Sequence, residues 1–263
     1  MGAFAALTVA GFRRWSTYRQ ATAAAAFTNT VFGFLKCSVL LAVLGAQGEV
    51  RGYDADQLTG FVWFGQGLLG VVLFWGWTEL ADRVRSGDVA ADLLRPVGLL
   101  PAYLAADLGR AGHAVLTRMA VPIAVGAAVF GVHVPRHPVT WLLAVPTVLL
   151  AVLVSFGVRY VVNLSAFWLL DVRGAVVLQT VLTGALSGLY VPVTFLPDAA
   201  RAVAWATPFP WMFQAPLDVL VERGGPRHSA ALVAGQLVAA AAVLGLAAAV
   251  QRRAVRVLVV QGG

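Results

Sequence analysis

The chain has 263 residues, of which 60% are apolar and only 12% charged. A soluble domain carries roughly 25% charged residues, so this composition cannot cover a water-facing surface and excludes an ordinary soluble enzyme or binding module. The net charge of +7 fits arginines beside anionic lipid rather than a nucleic-acid surface, and Cys37 is the lone cysteine, which leaves no disulfide framework.

Residues 1–20, "MGAFAALTVAGFRRWSTYRQ", are too short and too charged at one end to cross a bilayer. Phe4, Leu7 and Trp15 can lie against lipid while the arginines face headgroups, which predicts an interfacial helix. A span takes about 20 mostly apolar residues. Six stretches qualify as candidates: 21–44, 57–77, 112–132, 139–170, 174–196 and 229–250. The first is longer than the apolar core of a signal peptide, so it reads as a retained span. The third contains Arg118 and Pro122, with Asp107 and Arg110 just before it as boundary residues. The fourth is overlong and interrupted by Arg159 and Asn163. Arg159 either pairs with Asp171 or marks the membrane edge. Between the last two candidates, Pro197 can open a short helix and a second runs over 211–221 before Gly224, Gly225 and Pro226. Their Trp and Phe residues suit the outer interface.

With the N-terminus inside, the inner segments hold most arginines: Arg13, Arg14, Arg19, Arg83, Arg85, Arg95, Arg110, Arg173, Arg252, Arg253 and Arg256. The outer loops hold Arg51, Arg136, Arg201, Arg223 and Arg227, so both termini are expected on the inner side.

The polar stretch "WTELADRVRSGDVAADLLRPV", 77–97, then falls inside. Leu80 and Val84 are i,i+4 neighbours, as are Val89 and Leu93, with Ser86-Gly87-Asp88 a turn between them and Pro96 a stop. This predicts two short amphipathic helices whose apolar stripe, rimmed by charge, suits a docking surface. The alternative is a solvated connector. No G-x-x-x-x-G-K-[ST] phosphate loop occurs, so ATP-driven work by that route needs a separate chain.

The run "RSGDVAADLLRPV" resembles the inner-loop signature of ABC-2 type exporter permeases, the six-span permease subunits related to viologen and drug exporters. Arg85, Gly87, Asp88, Leu93, Leu94, Arg95 and Pro96 match it, and Pro208, Phe209 and Pro216 are similar to a second family segment before the last span. The resemblance implies an all-α membrane protein with six spans, a single permease domain over 1–263, an N-terminal interfacial helix and short outer helices. It implies two permease chains, identical or related, above two separately encoded ATPases that carry the ATP and Mg. The coupling region, 78–97, would meet the ATPase through Glu79, Leu80, Arg83, Val84, Arg85, Gly87, Asp88, Leu93, Leu94 and Arg95. No cofactor is expected in this chain, and membrane lipids are its other partner.

Within the spans, Lys36, Trp63, Gln66, Trp75 and Gln179 are candidates for a path taken by an amphiphilic or aromatic solute. Against each stands a plainer role: snorkelling for Lys36, helix–helix hydrogen bonds for the glutamines, and lipid contact for the aromatics. Gly184 and Gly188 form a GxxxG and are candidates for a permease–permease contact. His133 and His137 are separated by Pro135, which argues against a metal site. Two rival readings are an ATP-independent channel or carrier, and an intramembrane enzyme acting on lipid, for which Asp88 and Asp92 would be a weak acid pair.

Overall fold

The computed structural model describes residues 2–45, 48–133, 135–169 and 171–257, and these are almost wholly helical. A first helix, α1 (Ala3–Ser16), precedes α2 (Arg19–Leu44). A two-residue hairpin, β1 (Glu49–Val50) and β2 (Tyr53–Asp54), leads into α3 (Ala55–Val72). Asp54 starts α3 through a capping box: its carboxylate accepts from the Gln57 N–H at 2.8 Å, and the Gln57 side chain accepts from the Asp54 N–H at 3.2 Å. Two short helices follow, α4 (Glu79–Ser86) and α5 (Val89–Leu93). Then comes one continuous helix over 99–130, made of α6 (Leu99–Ala114), a π turn at Val115–Met119 and α7 (Ala120–Phe130). The π turn lies just upstream of Pro122, which has no N–H to donate. The remaining helices are α8 (Pro138–Leu164), α9 (Arg173–Leu186), α10 (Asp198–Trp205), α11 (Phe209–Met212), α12 (Gln214–Leu220) and α13 (Gly225–Val257).

Among the described residues, four helices are long and apolar enough to cross a membrane: Arg19–Leu44, Leu99–Phe130, Pro138–Phe167 and Gly225–Val257. The chain is a multi-span membrane protein. Of the six expected spans, four meet this criterion, and 57–77 and 174–196 do not. Candidate 57–77 stops being helical at Val72, where Leu73 turns to φ 54 and Gly76 to φ 81. Candidate 174–196 stops at Leu186, before Gly188 at φ 90. At 1.5 Å per residue these helices are about 27 and 21 Å long, against about 30 Å of hydrocarbon. The other stretches shift at their ends. The 112–132 helix begins at Leu99, and the overlong 139–170 stretch is one helix from Pro138 continued by a 3-10 turn at Ser165–Phe167. The single 211–221 helix is instead two, broken at Phe213.

Helix α3 is the axis of the molecule. It is apolar nearly all round and buried nearly all round, packed by α2, α7, α8 and α12. Trp63, with no exposed surface, wedges between α2 and α7. A Cβ at Gly33 would lie 2.6 Å from its ring and one at Gly126 2.3 Å, so both glycines make room for it. Helices α8 and α13 pair closely, with Gln236 held by Thr147 (2.6 Å to Oγ1, 3.1 Å to its carbonyl) and by the Trp211 carbonyl at 2.9 Å. Helix α1 lies on α6 in backbone contact at Gly109, where a Cβ would sit 1.9 Å from the Thr8 carbonyl oxygen.

At the other end from α4, Glu222 gathers three elements. Its carboxylate accepts from the N–H groups of Arg136 (2.9 Å) and His137 (2.8 Å) and from the Thr140 hydroxyl (2.6 Å), at the start of α8. The His137 and His133 rings lie 3.1 and 3.4 Å from its two oxygens. Burial pushes this carboxyl up, but the hydrogen bonds outweigh it and bring it down to about 2. A depressed carboxyl stabilises the fold above its ordinary value of 4.5, and that stabilisation is lost as pH falls from there towards about 2. Glu222→Gln is expected to cost about 1–3 kcal/mol at neutral pH. Thermal unfolding of both forms from pH 7 downwards should show the gap closing below pH 4.5.

Candidate coupling site

A helix leaves its last four carbonyls without partners, and a helix that stops inside a membrane protein must have them satisfied by other groups. Where α3 stops, side chains from three other helices do this. Arg110 of α6 donates to the carbonyls of Gly70 (3.1 Å) and Val71 (2.8 Å). Ser155 of α8 donates towards those of Val72 (2.6 Å) and Leu73 (3.2 Å). Gln179 of α9 donates to Phe74 (2.9 Å). Asn163 of α8 donates to Trp77 (2.9 Å), and its oxygen accepts from the Ala81 N–H (3.1 Å) in the first turn of α4. The last turn of α3 is therefore fastened to α6 and α8, the unwound stretch 73–78 to α8 and α9, and α4 directly to α8.

A buried ion cluster lies behind this joint. Asp107 accepts from Arg110 Nε at 2.7 Å and from Arg159 Nη2 at 2.8 Å. Arg159 is 2% exposed, also reaches Ser155 Oγ at 3.4 Å, and lies over the Trp77 ring at 5.5 Å. This corrects two expectations. Arg159 pairs with Asp107, not Asp171, which bonds to Arg173 at 2.9 Å. Asp107 and Arg110 are buried in the interior, not boundary residues at a surface. Ser155 had no assigned role from the sequence, and Asp107 and Arg110 were not expected to pair with Arg159. The signal was there: an acid three residues from a base in one apolar helix, and a lone base in another, must find each other when water is excluded.

The α4–α5 corner is rigid. Gly87 ends α4 in the left-handed region at φ 83, and the Arg83 guanidinium bonds Asp92 across the corner and the Asp88 carbonyl at 3.2 Å. The Asp92 carboxylate holds the Arg83 guanidinium above its ordinary value. Arg95 lies 3.3 Å from Asp92, and Arg14 of α1 grips Glu79 at 2.9 and 3.1 Å. The apolar stripe expected to face a partner faces inward instead. Leu80, Val89 and the half-buried Val84 pack with Phe156, Tyr160, Leu164 and Ala247. The reason is that α4 and α5 need an apolar bed of their own, and α8 with α13 supplies it. What remains outward is Arg85, Gly87, Asp88, Arg95 and Leu94, with Leu93 half-buried. Leu94 is 88% exposed, the most exposed of the large apolar side chains.

Residues 27–262 match the family model described as ABC-2 family transporter protein. The chain belongs to that family. Comparison with curated proteins and with solved structures returned no match. As an ABC-2 family transporter protein it is a non-enzymatic transporter subunit.

In this ABC-2 family chain the five candidate path residues do not converge. Trp63 is packed in the core and Trp75 is 49% exposed. Gln66 is buried with no partner for its side-chain oxygen among the described residues. Gln179 serves the joint, and Lys36 donates to the Leu189 carbonyl at 2.5 Å, in the unwound stretch after α9. Gly184 and Gly188 are not on one helix face, because α9 ends between them. A Cβ at Gly184 would lie 2.6 Å from the chain's own Tyr190, and one at Gly188 2.4 Å from Gln214.

Proposed function

We propose that this chain is the transmembrane permease subunit of an ATP-binding cassette exporter in the bacterial cytoplasmic membrane. It works with a second permease chain and two separately encoded ATPases, and carries an amphiphilic or aromatic small molecule out of the cell. Residues 1–263 form one permease domain with both termini inside. The polypeptide crosses six times, α3 and α9 each being continued by an unwound stretch. Such stretches are tolerated at membrane depth when protein groups bind their carbonyls, as Ser155, Gln179 and Asn163 do after α3.

The observation that carries this reading is the fastened break at 73–78. An ATPase that presses on the α4–α5 corner moves a rigid unit, through Leu94, Arg95, Arg85 and Asp88. That unit cannot move without pulling on α8 and α9, because its upstream linker is hydrogen-bonded to both, while α6 holds the last turn of α3 just before it. Closure of the ATPases thus becomes a tilt of helices, and the path is exposed alternately to the two sides. The solute drives the cycle only if it favours one of the two states. Family membership supports a transport role and partnership with ABC ATPases.

The test is reconstitution in liposomes with and without the partner ATPase, using an aromatic cation as the probe solute. Accumulation should require both the ATPase and hydrolysable ATP. Equal accumulation without the ATPase would replace this reading with that of a free-standing carrier.

A further inference from the structure

Helix α9 ends at Leu186, and its last turn is not closed off as that of α3 is. The carbonyls of Gly184, Ala185 and Leu186 accept no hydrogen bond among the described residues. Beyond them, the N–H groups of Gly188, Leu189 and Tyr190 donate none there either, although Gly188 and Leu189 are buried. Backbone groups without partners are costly where water is excluded, and this short stretch gathers them on both sides of its break. Their order supplies a reason. Each free N–H lies four residues after a free carbonyl: 188 after 184, 189 after 185, 190 after 186. These are the bonds of one further α-helical turn, left unmade.

A single residue turns the helix off. Ser187 is still in the helical region at φ -83 and ψ -15, and Gly188 at φ 90 is the one residue of 187–193 with positive φ. A glycine passes between the two hands without a side-chain clash. Two neighbours hold the unwound form. Gln214 of α12 donates its N–H to the Ser187 carbonyl at 3.1 Å and accepts the Val193 N–H on Oε1 at 2.8 Å. Lys36 of α2 donates to the Leu189 carbonyl. The hydroxyls of Thr183, Ser187 and Thr194, on the same stretch, are buried without a partner among the described residues, so the unwound form leaves further hydrogen-bonding capacity unused.

We infer that 187–190 is a switchable turn, unwound here and wound onto the end of α9 in a second state. Winding stops at Tyr190, because Val191 precedes Pro192 and a residue before proline disfavours helical torsions. The helix then reaches from Arg173 to Tyr190, about 27 Å in place of about 21 Å, nearer to the hydrocarbon thickness of about 30 Å. Winding withdraws the Leu189 carbonyl from Lys36 and the Ser187 carbonyl from Gln214. The switch therefore reads where α2 and α12 stand relative to α9, and drawing either away favours the wound form. That the switch serves transport rests on the proposed alternation between two states. The winding itself needs neither solute nor ATPase.

The test is hydrogen–deuterium exchange of the purified full chain in detergent, read by mass spectrometry on peptides covering 187–191. Two variants favour winding by different routes. Gly188→Ala penalises the left-handed torsion and places a Cβ 2.4 Å from Gln214 Oε1, so it disfavours the unwound form alone. Lys36→Met removes the hold on the Leu189 carbonyl and takes a charge out of a span, so it should fold even where Gly188→Ala does not. In each, exchange over 187–191 should slow by about tenfold relative to the unaltered chain, while peptides of α3 and α8 keep their rates. Exchange over 187–191 that is unchanged or faster in both variants, or in Lys36→Met alone should Gly188→Ala not fold, would overturn the switch and give α9 a fixed end. With no ATPase or solute present, that result would leave the transport reading standing, and ATPase-independent accumulation in liposomes would leave the switch standing.

Discussion

Asp107→Asn is expected to destabilise the chain by about 3–5 kcal/mol, the largest effect of any single substitution outside the apolar core. The carboxylate is 8% exposed and is the only acidic group bonded to both Arg110 and Arg159. An amide cannot balance two buried guanidinium groups. The joint should loosen with it, because Arg110 holds the Gly70 and Val71 carbonyls in an orientation that Asp107 fixes. Adding Arg159→Met to Asp107→Asn removes one of the stranded charges and should recover more than half of the loss. Thermal unfolding in detergent, read on the two single variants and the double, measures both. A loss under about 1 kcal/mol for Asp107→Asn would mean that the cluster is solvated and not a structural element.

Leu94→Asp is expected to leave the fold intact and to abolish assembly with the ATPase. The side chain is almost fully exposed, so the change should alter stability by no more than about 0.5 kcal/mol. On the proposed reading it is the apolar knob of the α4–α5 corner, and a knob that fills a partner's groove is worth about 2 kcal/mol or more, roughly a thirtyfold loss of affinity. Leu80→Asp is the contrast: Leu80 has no exposed surface, and a charge there should unfold the corner. Co-purification of the ATPase with each variant, beside its unfolding temperature, separates docking from folding. Full ATPase recovery on Leu94→Asp would move the contact to another face.

Much of the architecture was legible because composition and span length are governed by the bilayer. The first helix α1, the long helices, the α4–Gly87–α5 corner and the short helix after Pro197 all follow from local chemistry. The two breaks were not legible. Leu73–Trp77 is as apolar as the helix before it, and the groups that take up the freed carbonyls sit on α6, α8 and α9, from 39 to 105 residues away along the chain. Asn163 and Gln179 stood out in the sequence as polar groups in apolar runs, but they bond backbone carbonyls freed by a break that no residue type announces, and Arg159 finds its carboxylate on Asp107, 52 residues away. The stripe of Leu80, Val84 and Val89 shows the converse. Periodicity reveals that a face is buried, but not whether the chain itself or a partner buries it. The Gly184–Gly188 spacing does not fall on one continuous helix, because α9 stops at Leu186.

The central claim is that force entering at α4 and α5 reaches the membrane helices through hydrogen bonds to the unwound stretch. It is tested most directly by a variant that cuts those bonds and leaves the docking surface untouched. Ser155→Ala combined with Asn163→Ala removes the bonds to Val72, Leu73, Trp77 and Ala81 while Leu94, Arg95, Arg85 and Asp88 stay in place. Solute moved per ATP hydrolysed should be measured in liposomes that hold this form with its ATPase. Hydrolysis is predicted to stay within about twofold of the unaltered complex while transport falls about tenfold or more. Transport that keeps pace with hydrolysis would contradict the claim.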